Sequence, residues 1–203
     1  MRVRMRPIIL LLTSSLFIST LVACVGINKT KQNIAVYDFG LTVPSENNQQ
    51  ITSKIILEEP VSIASLNHNK IHYRLNYQNP SRIFFYTESR WAATPSELLS
   101  NMLSKTVNVA RNPMTCSLKL KIEAFDQVFQ TPSASEGFVQ LSVFLIEKKS
   151  QKIISSQLIT ESVKSTSPNA EGGTVALQQA SENTLKKVIN WGNMVADNSE
   201  LCQ

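Results

Sequence analysis

A chain of 203 residues with 42% hydrophobic and 17% charged side chains fits one ordinary domain, which at this size buries about 70% of its unfolded surface. A solenoid, a coiled coil and a multidomain enzyme fit poorly. The 20 Lys and Arg outnumber the 15 Asp and Glu, a formal charge of +5 that favours a polyanionic partner only if it lies on the folded body.

It does not lie there. Arg2, Arg4 and Arg6 open a segment, residues 1–23, whose apolar stretch runs from Ile8 to Val22. A basic start before an apolar run is a signal-peptide pattern. At about 15 residues the run is short for a hydrocarbon core that needs roughly 20, which favours removal over a permanent span. The segment ends in Leu21-Val22-Ala23-Cys24, which resembles the lipobox of a bacterial lipoprotein. That resemblance implies a diacylglycerol thioether on Cys24 and a further acyl chain, such as palmitate, on the new amino terminus. Several chains hold a protein durably where one does not. Val25 is not the aspartate that such lipoproteins use for inner-membrane retention, so an outer-membrane address with the folded part in the periplasm is expected.

Cleavage before Cys24 leaves 180 residues, with 17 basic and 15 acidic side chains. Little electrostatic reason then remains to expect nucleic acid as a ligand. Of the three cysteines, Cys116 and Cys202 remain. An oxidising periplasm permits them to pair, and the sequence leaves a disulfide and two separate thiols both open. Neither has a CxxC partner or a histidine cluster nearby, so redox and zinc chemistry are not expected of them.

Residues 24–33 read as the lipidated cysteine and a short polar tether. A strand is expected at 34–39, a loop at 42–50 where Pro44, Ser45, Asn47 and Asn48 offer turn chemistry, and a second strand at 54–57. Residues 70–77 alternate, with Ile71, Tyr73, Leu75 and Tyr77 on one face and His72, Arg74 and Asn76 on the other, a half-buried strand. Asn79-Pro80-Ser81 turns the chain into 82–86. Thr94-Pro95-Ser96-Glu97 is a capping box with proline at the first helical position. It predicts a helix to about Asn108 whose Leu98, Leu99, Met102, Leu103 and Thr106 face the sheet.

Leu118, Leu120, Ile122 and Ala124 alternate with Ser117, Lys119, Lys121 and Glu123, a strong strand signature. Pro132 and Gly137 bracket an expected turn. Strands follow at 138–146 and 153–163, separated by Lys148 to Gln151. Pro168, Asn169, Gly172 and Gly173 read as a loop before a helix over 175–195, with Leu177, Ala180, Thr184, Leu185, Val188, Trp191 and Val195 as its core ridge. The fold class is therefore α+β, a largely antiparallel or mixed sheet with two principal helices packed on one face. The domain spans 34–197, and the tail 198–203 frays unless Cys202 is paired.

Val36-Tyr37-Asp38-Phe39-Gly40, Ile71-His72-Tyr73-Arg74-Leu75, Trp91 followed by Pro95 to Leu99, and Trp191, together with Cys24, resemble the auxiliary lipoprotein family of ABC-type transport systems over most of 34–195. The resemblance implies a periplasmic component that works beside an MCE-domain protein and its ABC or inner-membrane assembly to move lipids between membranes. It also implies a partner interface at Tyr73, Arg74 and Trp91, with phospholipid contact and a homo-oligomer as further expectations. The sequence holds no phosphate loop ending in Lys-Ser or Lys-Thr, so any driving ATPase is a separate protein. An alternative role is a structural lipoprotein that organises an envelope complex without handling lipid.

No enzyme, catalytic residue or cofactor is expected. Glu58-Glu59 reads as a surface pair. His68 and His72 stand four apart, but within a strand such residues lie roughly 13 Å apart on one face, so no metal site is expected of them.

Overall fold

The computed structural model describes residues 33–41, 49–52, 54–108 and 115–203. In chain order the strands are β1 (Ala35–Tyr37), β2 (Gln49–Gln50), β3 (Ile55–Leu57), β4 (Val61–Ser62), β5 (Lys70–Leu75), β6 (Ile83–Trp91), β7 (Val107–Asn108), β8 (Cys116–Thr131), β9 (Ala134–Glu147) and β10 (Ile153–Lys164). Helix α1 is Pro95–Thr106 and α2 is Ala170–Asp197. Residues 34–203 form one compact unit. The expected export segment 1–23 and Cys24 lie outside the described residues.

An α+β architecture results, a mixed sheet of eight strands with the two helices sharing its core. The order β1-β6-β5-β8-β9-β10 departs from a simple meander. Strands β8, β9 and β10 are antiparallel neighbours, as alternation and the two tight turns predict. On the other edge of β8 the pairing is parallel. Its first half runs beside β3 and β4, and its second half beside β5, with His72 opposite Asp126 and Arg74 opposite Val128. The chain leaves the β5–β6 hairpin, crosses through α1 and returns in the direction of β5. Strand alternation carries no record of that direction.

An irregularity in β8 between Ile122 and Ala124 divides these halves. An extra residue in one strand reverses which side chains face each side thereafter. Cys116, Leu118, Leu120 and Ile122 are buried before it, and Phe125, Gln127 and Phe129 after it. The strand is therefore 16 residues long, although its alternation in the sequence breaks at Ala124. Ahead of the irregularity the opposite face is polar. Lys121 pairs with Glu123 at 3.1 Å, Ser142 donates to Glu123 at 2.9 Å, and Lys119 meets Glu58 at 3.5 Å.

The start of α2 also differs from the expected loop. Asn169 caps the helix by accepting from the Gly172 N–H at 2.9 Å, so Gly172 and Gly173 lie in its first turns. Gly137, which sits inside β9 rather than in a turn, and Gly172 let backbone approach closely, and Gly173 makes room for the Gln127 side chain. A Cβ on Gly137 would stand 2.5 Å from the Ala176 carbonyl carbon, and one on Gly173 would stand 2.1 Å from Gln127 Oε1. Farther along, α2 buries Leu177, Ala180, Thr184, Leu185, Val188 and Trp191. Asn193 fixes the 50–52 segment, donating to the Gln50 carbonyl and accepting from the Thr52 N–H, both at 2.9 Å.

Helix α1 starts at Pro95 as predicted and stops at Thr106, where β7 begins. Its capping box is formed: the Thr94 N–H donates to Glu97 at 2.8 Å, and the Glu97 N–H to Thr94 Oγ1 at 3.4 Å. The tail is ordered by a single 3-10 turn, Glu200–Cys202. Cys202 is bonded to Cys116 at the head of β8, with the Cα atoms 5.4 Å apart.

Candidate functional site

Strand β5 presents a different group on each of its faces, and two of the expected interface residues, Tyr73 and Arg74, divide between them. On one face, Tyr73 stacks on Phe84 with centroids 5.2 Å apart and meets Tyr86 at 4.8 Å and Phe129 at 5.9 Å. The Arg82 guanidinium lies 4.5 Å over the Phe84 ring. Tyr73, Phe84 and Tyr86 are half-buried, so the stack forms a ledge with one side open to solvent. Aromatic and arginine side chains held in this way are the composition that protein interfaces favour.

Behind the ledge runs a polar relay. Tyr86 donates to Gln127 Oε1 at 2.8 Å, and Gln127 Nε2 donates to Ser135 at 2.8 Å. Burial, with Tyr73 alongside, pushes the Tyr86 phenol above its ordinary value, so it remains a donor. Gln127 is fully buried, and a buried amide needs these partners.

The other face of β5 carries His72 and Arg74, converging on Asp126. Arg74 Nε donates to Asp126 Oδ2 at 2.9 Å, and His72 Nδ1 lies 3.1 Å from Oδ1. Asp126 is buried, which alone would raise its pKa. The hydrogen bonds from His72 and Arg74 outweigh that and hold the carboxyl below its ordinary value. An ionised Asp126 only accepts, so the ring nitrogen facing it, His72 Nδ1, carries a hydrogen. Nε2 points at His68 Nε2, 3.4 Å away. Burial, with His72 and Lys70 near, keeps His68 below the ordinary imidazole value.

Two expectations change here. The spacing argument placed His68 on the strand roughly 13 Å from His72, but β5 begins at Lys70. His68 precedes it in a bend, where the Lys70 N–H donates to its Nδ1 at 3.2 Å, and the two rings meet at 5.0 Å. Trp91, expected at an interface, is 1% exposed. It packs edge-on against Phe39 at 5.8 Å and against Phe125 at 5.6 Å, so it builds the core and offers no surface to a partner. Arg74 is occupied by Asp126 and, through Nη1, by the Pro80 carbonyl at 3.1 Å. Of the three, Tyr73 remains as an accessible contact, joined by Phe84, Tyr86 and Arg82. Asp126 and Gln127 carry no signal in the sequence while alternation breaks at Ala124. The parity change from Ile122 to Phe125 was the signal that continues the strand.

A second open feature is a groove of about 510 Å³ between β10 and α2, lined by Leu158, Ile159, Lys187, Trp191 and Met194 among others. Among the described residues, no group of three or more His, Cys, Asp or Glu is placed to hold a metal. Among them, no helix is long and apolar enough to cross a membrane.

The features define an α+β domain of a mixed eight-stranded sheet and two helices, a fold shared with solved structures. One is protein XCC0632 from Xanthomonas campestris, of family DUF330: the TM-score is 0.67 at 15% identity, covering 81% of this chain and 98% of that one. An uncharacterized protein overlaps at a TM-score of 0.57 and 13% identity, over 80% and 99% of the two chains. The overlap with lipoprotein GNA1162 from Neisseria meningitidis, TM-score 0.28 at 11% identity over 68% and 99%, is too slight to carry an argument. At these identities the likeness is one of fold. No family profile matches the chain, and no curated protein sequence matches it.

Proposed function

We propose that this chain is a lipid-anchored periplasmic protein of the outer membrane, an auxiliary component of an MCE/ABC-type intermembrane lipid transport system that docks or positions the lipid conduit. The observation that carries the reading is the junction of an export segment ending in Leu21-Val22-Ala23-Cys24 with a fold shared over nearly the whole of a DUF330 protein. Acyl chains on Cys24 provide the membrane address, and the domain works by tethering and docking. Free energy for transport comes from an ATPase elsewhere, and no catalytic step is assigned to this chain. The aromatic ledge of Tyr73, Phe84, Tyr86 and Arg82 supports protein docking in particular, because its rings are prearranged and partly exposed.

That same ledge also favours a narrower reading, in which the protein organises an envelope complex and never touches lipid. Affinity capture of the full-length protein from gently solubilised envelopes tests the main proposal. Recovery of an MCE-domain protein that falls when Phe84→Ala replaces the ledge residue supports it. Failure to recover such a partner in several mild detergents overturns it. Photocrosslinking scanned over the surface separates the two readings: lipid adducts that require the partner favour conduit contact, and protein adducts alone favour assembly.

A further inference from the structure

The His68–His72 contact, 3.4 Å between the Nε2 atoms, is longer than the roughly 2.7–3.2 Å that N–H···O hydrogen bonds span. It matches another geometry. Zinc binds imidazole nitrogen at about 2.0–2.1 Å, and two ligands of a tetrahedral ion then stand roughly 3.3–3.4 Å apart. The observed separation of the Nε2 atoms is 3.4 Å. Adjacent ligands of a square-planar copper(II) site would stand nearer, at roughly 2.8–2.9 Å, so the span is closer to that of a tetrahedral ion.

We propose that His68 and His72 form a two-histidine zinc site supported by Asp126. Three further observations point the same way. The His72 Nδ1–H is held by a buried carboxylate at 3.1 Å, the carboxylate–histidine arrangement that fixes ring orientation and raises ligand basicity at metal sites. His72 is 2% exposed and so preorganised, whereas His68 is half-buried and leaves a way in. Phe85 stands edge-on to both rings, at 5.6 Å and 4.9 Å, and walls one side.

Zinc enters where one hydrogen now lies between the rings. His68 Nε2 gives up that hydrogen, which relocates to Nδ1 at the cost of the Lys70 N–H contact. Water completes the tetrahedron. The site therefore exchanges its metal with solvent rather than enclosing it, in contrast to four-ligand structural zinc. Lys70 Nζ lies 4.8 Å from the Phe85 centroid, and its charge opposes a divalent ion.

The test is calorimetric titration of zinc chloride into untagged full-length protein in mild detergent, with magnesium chloride as the control. One zinc per chain is expected, and no magnesium. His68→Ala, at a half-buried position outside the strand, should lose at least about tenfold in affinity. Asp126→Asn should lose about 10–100-fold, and Lys70→Gln should bind more tightly. Imidazole NMR gives a reading independent of folding in the variants: zinc should shift the His68 and His72 ring resonances together. No zinc uptake, or equal uptake by the parent protein and His68→Ala, overturns the proposal and leaves the contact a plain hydrogen bond.

Discussion

Arg74 shows how one side chain can look like a surface charge and act as an internal one. Its Nε is spent on Asp126, a carboxylate with 3% of its side chain exposed. Replacing Arg74 with Met leaves that buried charge with His72 alone, and removing one partner of a buried pair costs about 3 kcal/mol or more. Arg74→Met should therefore lower the urea midpoint at neutral pH, and Arg74→Lys should restore only part of the loss, because a single ammonium cannot reach both Asp126 and the Pro80 carbonyl. An unchanged midpoint in Arg74→Met would show that His72 alone suffices for the carboxylate. Glycine at 173 is a second case in which two effects of known size oppose each other. Alanine in a helix gains about 1 kcal/mol over glycine, but its Cβ would press within 2.1 Å of an amide already tied to Tyr86 and Ser135. Overpacking typically costs 1–3 kcal/mol, so Gly173→Ala should be destabilising on balance. Gly137→Ala, facing helix backbone that cannot rotate away, should be worse, and thermal melts of the two variants would rank them.

Among the elements, α1 was the most legible, because its signals are local. Thr94, Pro95 and Glu97 specify a helix start whatever the rest of the chain does, and Leu98, Leu99, Met102 and Leu103 are buried as their spacing requires. Helix α2 was legible in its ridge and misread at its start, since Gly172 and Gly173 look like loop residues until the strand beneath them is in view. Strand β8 was read as half its length for a related reason: its irregularity reverses alternation, and a period of two cannot be followed through it. The capping box also carries a pH dependence. The backbone and side chain of Thr94 hold the Glu97 carboxyl below its ordinary value. A carboxylate whose pKa is lowered by folding stabilises the folded state above its unfolded pKa, and that stabilisation is lost as pH falls through the folded one. Thr94→Ala should cost about 1 kcal/mol near neutral pH. The difference in melting temperature between Thr94→Ala and the parent protein should shrink as the pH is taken below the Glu97 titration. A difference that stayed constant would mean that the cap acts through the hydroxyl alone.

At the scale of the whole molecule, the decisive link is one that neither composition nor spacing could choose. The sequence left Cys116 and Cys202 as a pair or as two thiols, because their separation of 86 residues says nothing about distance. Parallel pairing of β3 and β8 brings Cys116 beneath the end of α2, and the turn Glu200–Cys202 completes the approach. The bond thus closes a loop holding β8, β9, β10 and all of α2. Closing a loop of this length removes unfolded-chain entropy equivalent to about 4.6 kcal/mol on the chain-entropy account. For a domain of this size each kcal/mol is about 2–4 °C in melting temperature, so Cys202→Ser should melt about 10 °C or more below the parent protein. Because Cys202 is fully buried, its serine also loses packing, and reduction of the parent protein provides the cleaner comparison. Dithiothreitol should bring the parent protein down towards Cys202→Ser and leave the variant where it was. If reduction left the parent's melting temperature unchanged, the carboxyl-terminal turn would be held by α2 alone, and the bond would contribute nothing to the stability of the fold.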